Sequence, residues 1–224
     1  MASRYYRVFK LIDHNPLWKR YLISSYRKGV AELAELAVVP DFDRKGFTSL
    51  LCGTAGAATS RAFVRYVLSR NRAAPIVVLD RSEIPLEESK RVLDKEFPEA
   101  AIAYLRCDAR KMPLKRGSVD YVETDAFLEY FPPQELDLLL AEWSRVLRKD
   151  GFITTRAFAS DSFFGTIVDN VRLLIAKHVF GVQVYRHTKE VLGTALRRAG
   201  FRFVIGGNTF LPTFKRFSIV KQSR

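Results

Sequence analysis

From Phe47 onward, short apolar runs alternate with stretches of helical periodicity, and this alternation restricts the fold more than any other feature. The spacing predicts strand 47–52, helix 58–70, strand 76–80, helix 86–96, strand 101–106, strand 118–123, helix 133–147 and strand 151–158. Repeated strand–helix units of this kind bury their apolar faces by forming a parallel sheet covered by helices. In helix 133–147 the residues Leu136, Leu139, Leu140, Trp143, Val146 and Leu147 make one apolar stripe, which is a core face. A further helix, Thr188 to Ala199, ends at Gly200, a C-cap position. Runs 201–206 and 214–220 follow, and their connection is too short for a crossover helix. These last strands are expected as antiparallel neighbours.

The flanks depart from the alternation. Residues 3–38 read as two or three short helices, with Pro16 where the second could begin. Residues 159–187 hold an amphipathic helix, 161–180, inserted after the fifth strand. One domain over 1–224 is expected, with a helical N-terminal cap (1–45) and a core (46–158). An inserted helical lid (159–187) and a C-terminal helix with an antiparallel strand pair (188–224) complete it. The inserted helix has two readings: a lid over a mostly apolar pocket, or a homodimer interface burying Phe163 and Phe164.

Charge is distributed unevenly. The net charge is +13, and residues 148–224 alone carry 14 basic and 4 acidic side chains, whereas 46–147 carry 14 and 15. The presumed ligand-binding half is thus neutral and the flanks hold the excess. A solvated basic surface explains this, as does an anionic acceptor, a nucleic acid or an acidic membrane surface. With two cysteines, each beside a strand-like run, reduced thiols in a cytoplasmic protein are expected. Histidines at positions 14, 178 and 187 have no metal-ligand spacing, so no metal is expected. No run reaches the 18 or more apolar residues of a membrane span, and no compact secretory signal is seen at the N-terminus.

Within the core, Leu50 to Thr59 stops an apolar run at a small-residue turn and leads into a helix. Backbone amides in such a loop can approach a ligand closely. Asp80 closes Ile76–Leu79, and Asp108 follows Ile102–Cys107. A small-residue loop followed by two strand-terminal carboxylates makes a nucleoside-binding constellation.

Five segments, in order, resemble the class I S-adenosylmethionine-dependent methyltransferases, of the small-molecule type. Leu51-Cys52-Gly53-Thr54-Ala55-Gly56 resembles the family's glycine-rich first motif, and Val78-Leu79-Asp80-Arg81-Ser82, with the helix start Leu86-Glu87-Glu88-Ser89-Lys90, its ribose-binding strand end. Arg106-Cys107-Asp108-Ala109-Arg110 resembles the adenine-side motif, Gly117-Ser118-Val119-Asp120-Tyr121-Val122 the fourth strand, and Trp143 to Gly151 the turn into strand five. The resemblance implies a seven-stranded Rossmann-like α/β sheet with its last strand antiparallel. It implies S-adenosyl-L-methionine as cofactor, held by Gly53, Thr54, Ala55, Gly56, Asp80, Arg81, Asp108, Ala109, Thr124 and Asp125. The first motif departs from the pattern. In either alignment Ser49 or Leu51 stands where the family has an acid, and Asp125 or an N-terminal residue would have to compensate.

Methyl transfer from a sulfonium needs orientation more than a base. If a base exists, His187 is the best-placed histidine, with Tyr130 as a second catalytic candidate. Phe127, Glu129 and Tyr130 follow strand four and face the expected acceptor pocket. Tyr6, Tyr26, Arg27, Phe127 and Tyr185 are candidates for the substrate side, Tyr6, Tyr26 and Arg27 (with Tyr5) as an aromatic and cationic cover over the sulfonium. The leading expectation is a methyltransferase for a small molecule. Alternatives are a methyltransferase for RNA or another anionic macromolecule, a cyclase or lyase releasing methylthioadenosine, and a non-enzymatic binding protein. Nucleic acid is the less favoured partner, because Thr124-Asp125-Ala126-Phe127 stands where a base-methylating Asn-Pro-Pro-Tyr-like motif would be.

Overall fold

The structure, a computed structural model, describes residues 15–54, 56–159, 163–179, 181–208 and 214–222. The described chain begins with helix α1 (Pro16–Glu32). Asn15 caps it by accepting the Leu17 amide at 2.9 Å, and Pro16 occupies a first-turn position that needs no amide hydrogen. The helix expected before Pro16 lies outside the described residues. A 3-10 turn, Leu33–Leu36, ends α1, with Ala37 in the left-handed region at φ 58°.

The core alternates as expected: β1 (Ser49–Cys52), α2 (Ala57–Leu68), β2 (Ile76–Asp80), α3 (Glu83–Glu96), β3 (Ile102–Arg106) and β4 (Val119–Asp125). Then follow α4 (Pro133–Val146), β5 (Leu147–Phe158), α5 (Phe163–His178), α6 (Lys189–Arg198), β6 (Phe201–Asn208) and β7 (Phe214–Lys221). The seven strands run in the order β3-β2-β1-β4-β5-β7-β6, with β7 antiparallel to both its neighbours. The expected sheet, with its last strand reversed, is therefore present.

Two boundaries differ from the sequence reading for physical reasons. Helix α3 starts at Glu83, before Leu86, because Pro85 sits in a first turn where its missing amide costs nothing. Strand β5 starts at Leu147, since Leu147 already pairs with Val119 before a register shift brings Phe152 opposite Tyr121.

Helices cover both faces. On one, the α4 stripe of Leu136, Leu139, Leu140, Trp143 and Val146 packs with Leu192 and Leu196 of α6 on Val122, Ile153, Phe217 and Ile219. On the other, α1, α2 and α3 cover Leu51, Val78, Tyr121 and Phe152. Helix α1 approaches β5 closely at Gly29, where a Cβ would stand 2.9 Å from Thr154 Cγ2. Glu32 then anchors α1 to β7. It accepts from Arg216 Nε at 2.9 Å and from Ser218 Oγ at 3.0 Å, and this pair is largely buried. No described helix is long and apolar enough to cross a membrane.

Candidate functional site

In an open parallel sheet the crevice forms outside the carboxyl ends of the strands, where the strand order reverses. Here β1 lies between β2 and β4, so the reversal falls at the ends of β1 and β4. A pocket of about 620 Å³ opens there. Gly53, Asp80, Arg81, Asp108, Ala109 and Asp125 line one side, and Phe127, Tyr130, Phe131, Val182 and Tyr185 the other.

Gly53 turns the chain directly after β1. Its φ of 80° is one that L side chains rarely adopt, and its amide donates to the Leu79 carbonyl at 2.8 Å. A Cβ there would lie 2.6 Å from Phe127 Cδ2, so the aromatic ring rests on bare backbone. The next residue binds the loop to β2: the Thr54 amide (2.9 Å) and hydroxyl (3.1 Å) both donate to Asp80 Oδ2. Asp80 Oδ1 accepts the Ser82 amide at 2.8 Å. A carboxylate offers about four acceptor positions, so one remains open on Oδ1, and a second appears when the Thr54 hydroxyl turns away. The expected grip on both hydroxyls of a ribose therefore requires that rotation.

Asp108 is held by Arg110. The Arg110 amide and Nε reach Oδ1 at 2.9 and 3.0 Å, and Nη2 reaches Oδ2 at 2.5 Å. These bonds hold the Asp108 carboxyl below the usual carboxylate range. Arg110 also pairs with Glu135 at 2.5 Å and stands 5.9 Å from the Phe131 ring centroid. Arg110, Phe131 and Glu135 belong to the pocket wall, and the sequence reading missed them as site residues. An Asp-x-Arg spacing after β3 was the available signal.

Beneath the pocket lies a layer of buried charge. Asp125 pairs with Arg156 at 2.5 Å, their strands being in register at this point. Arg156 is 1% exposed and lies under the ring of Tyr21, 4.9 Å from its centroid. Burial raises the Asp125 carboxyl above its ordinary range, opposed by Arg156. Two positions earlier, Glu123 accepts from Tyr121 at 2.9 Å and from Thr154, and burial pushes its carboxyl up to about 8. Glu123 pairs in register with Leu51, so a buried acid stands one strand away from a position where the family's acid was sought. Ser49 and Leu51 themselves are both fully buried in β1.

The 3-10 turn Leu128–Tyr130 presents the aromatic wall and is braced from two sides. Glu129, expected to face the acceptor pocket, is instead buried beneath it and accepts the Phe158 amide, and burial pushes its carboxyl up to about 8. His187 Nε2 lies 3.2 Å from the Leu128 carbonyl and 3.1 Å from the Phe131 carbonyl. Carbonyls only accept, so Nε2 carries the hydrogen and donates to both.

Several expectations need correction. His187 is 1% exposed and outside the pocket lining. Burial lowers its basicity, so it positions the turn and is not placed to act as a base. Thr124 is fully buried in β4 and is not part of the pocket lining. Tyr26 packs into the core against Phe63 and Tyr66, because the apolar side of α1 turns towards α2. Arg27 is exposed on the outer side of α1. Gly56 is extended (φ 179°) and precedes α2 outside the pocket lining. Tyr5, Tyr6 and Ala55 lie outside the described residues. The insertion reaches the pocket through Gly181, Val182, Gln183 and Tyr185, not through the apolar face of α5. Tyr185 also donates its amide to the Glu129 carbonyl at 2.6 Å. Among the described residues no cluster of metal-ligating side chains occurs.

The chain was compared with known proteins. A family model described as a methyltransferase domain matches residues 52–155, from the end of β1 into β5. An uncharacterized chloroplastic methyltransferase of Arabidopsis thaliana is 31% identical over 121 residues, covering 52% of this chain and 33% of that protein. The chain thus spans about a third of the length of this curated relative. Among solved structures, magnesium protoporphyrin IX methyltransferase of Synechocystis, crystallised with bound SAH, superposes with a TM-score of 0.62 at 16% identity. That match covers 93% of this chain and 88% of the other. A Thermotoga maritima protein described as a possible histamine N-methyltransferase gives 0.63 at 18% identity, covering 99% and 100%. These structural likenesses establish the fold. The family model, which spans the strands that build the pocket, supports S-adenosylmethionine-dependent methyl transfer as the activity of such a site.

Proposed function

We propose that the chain transfers a methyl group from S-adenosylmethionine to an oxygen, nitrogen or carbon nucleophile of a small-molecule acceptor. One observation carries this reading: the pocket is divided between carboxylates at the ends of β2, β3 and β4 and an aromatic wall after β4. The residues present fit the cofactor. Gly53 offers backbone without a Cβ, Asp80 retains an acceptor position for a ribose hydroxyl, and Asp108 with Ala109 forms the purine side. Asp125 lies nearest the aromatic wall in sequence and is the group we assign to the sulfonium side.

When bound, the cofactor supplies a methyl group already activated on sulfur. Holding two reactants in line can supply about 7–11 kcal/mol, against roughly 3–5 kcal/mol from a general base. The protein's task is therefore orientation. Phe127, Phe131 and Tyr185 hold the acceptor and exclude water, and the Tyr130 phenol hydrogen-bonds its nucleophile. Glu129 and His187 fix the turn that carries these groups. Two unpaired cysteines, Cys52 and Cys107, support a reducing compartment, for which we propose the cytoplasm.

The altered first motif favours one second reading, cleavage of the cofactor's aminobutyryl portion. Product analysis by mass spectrometry with a panel of small nucleophiles separates the two. Methylation yields S-adenosylhomocysteine and a methylated acceptor; methylthioadenosine as the sole product would refute it. Salt-sensitive, high-affinity RNA binding accompanied by RNA methylation would instead move the acceptor class to nucleic acid.

A further inference from the structure

Helix α5 is turned inside out. Its polar side faces the body: Asp169 is buried between Arg172 at 3.6 Å and Arg186 at 3.8 Å, and Arg186 Nη2 donates to Thr166 Oγ1 at 2.9 Å. Arg172 also stands 5.6 Å from the ring centroids of Phe158 and Phe214. Outward point Phe163 and Phe164, 77% and 80% exposed, with Ile167, Val171, Leu174 and Ile175 continuing the stripe at helical spacing. Buried ion pairs and cation–π contacts fix this orientation, so the apolar face is held towards solvent by the fold itself. A lid would turn the same face towards the pocket, whose wall is built instead by Gly181–Tyr185.

Two observations identify the occupant. First, the charge around the stripe has one sign. Along α5 the exposed ionisable side chains are Lys177 and His178, whereas Arg172 turns inward and the helix's single acid, Asp169, is buried. Second, the stripe is small. A 16-residue helix is about 24 Å long and about 10 Å wide, so one face offers on the order of 250–400 Å². A stable protein interface needs roughly 800 Å² from each partner. An apolar strip of this size with a basic end and no exposed acid matches a helix lying in the plane of an anionic lipid surface, buried about 5–10 Å at the level where headgroups meet acyl chains.

We propose that the outward face of α5 seats the protein on anionic bilayers. The helix lies on the membrane and is too short to cross it. Because Gly181–Tyr185 follow α5 directly and line the pocket, seating brings the pocket wall to within a few residues of the lipid phase.

Vesicle flotation of the full chain tests this. The wild type should float with vesicles containing phosphatidylglycerol, poorly with phosphatidylcholine alone, and less as salt rises. Phe163→Ser/Phe164→Ser should lower partitioning by about tenfold or more, and Lys177→Glu should lower it specifically on anionic vesicles. Calorimetric affinity for S-adenosylhomocysteine and the circular dichroism spectrum should be unchanged in both variants, since neither site lines the pocket. Absence of flotation, equal flotation on neutral and anionic vesicles, or wild-type partitioning by the double variant would overturn the proposal. So would a wild-type dimer in sedimentation that the double variant dissolves, because the stripe would then be covered by a second copy.

Discussion

Replacing Gly53 by alanine probes the joint between the cofactor loop and the aromatic wall. Two costs arise. An L residue at φ 80° is strained by about 1–2 kcal/mol. The new methyl would stand 2.6 Å from Phe127 Cδ2 and 2.9 Å from Cε2, so the ring must move. That ring packs on Phe131 and Trp143, with centroids 5.1 and 6.5 Å away, and shifting a packed core ring costs about 1–3 kcal/mol. Gly53→Ala should therefore destabilise the fold by about 2–5 kcal/mol in urea unfolding. It should also weaken S-adenosylhomocysteine binding, because Phe127 and Gly53 both line the pocket. Phe127→Ala supplies the control. In that background the clash is gone and Gly53→Ala should cost only the strain, about 1–2 kcal/mol. A double-mutant cycle should thus return a coupling of about 1–3 kcal/mol. If Gly53→Ala costs the same in both backgrounds, the ring does not rest on the loop and the reasoning is wrong.

Other expectations follow from the buried charges. Glu129 is held at about 8 in the fold against 4.5 unperturbed, so the native state binds the extra proton between these values. Its contribution to stability is present below about pH 4.5 and is lost as pH rises through about 8, at up to about 1.4 kcal/mol per pH unit. Glu129→Gln, whose amide oxygen can still accept the Phe158 amide, should flatten that fall in urea titrations across pH. An unchanged slope would show that Glu129 titrates normally. Glu32→Ala leaves Arg216 buried without its partner and should cost about 3–5 kcal/mol; Glu32→Leu/Arg216→Met should recover most of it. A loss below about 1 kcal/mol in the single variant would show that α1 is not anchored there. The pH profile of kcat/KM should lack a histidine inflection, since His187 is buried and bonded to two carbonyls. A limb that disappears in His187→Gln would restore the histidine as a base.

The fold was largely legible because its signals are local. Strand–helix alternation, the α4 stripe and the short β6–β7 connection each have a period or length that admits few alternatives. Gly53, Asp80 and Asp108, picked out after expected strands, line one pocket together with Tyr185. The failures have one cause: sequence spacing does not reveal which way a side chain points at a strand end or helix. Thr124 and Asp125 are adjacent, yet β-strand alternation buries the first and presents the second. Tyr26 and Arg27 divide in the same way across α1. The Asp125–Arg156 pair depends on the β4–β5 register, which a bulge between Val119 and Tyr121 shifts. In α5 the stripe was visible, but its outward orientation is set by Asp169 meeting Arg186 from a later segment.

The central claim is that the crevice at the ends of β1, β2 and β4 binds an adenosyl sulfonium. Isothermal calorimetry of the purified chain with S-adenosylmethionine and S-adenosylhomocysteine tests it most directly. Saturable binding at one site per chain is predicted, weakened by about 1–3 kcal/mol in Asp80→Ala. Absence of association at millimolar ligand, or full affinity in that variant, would contradict it.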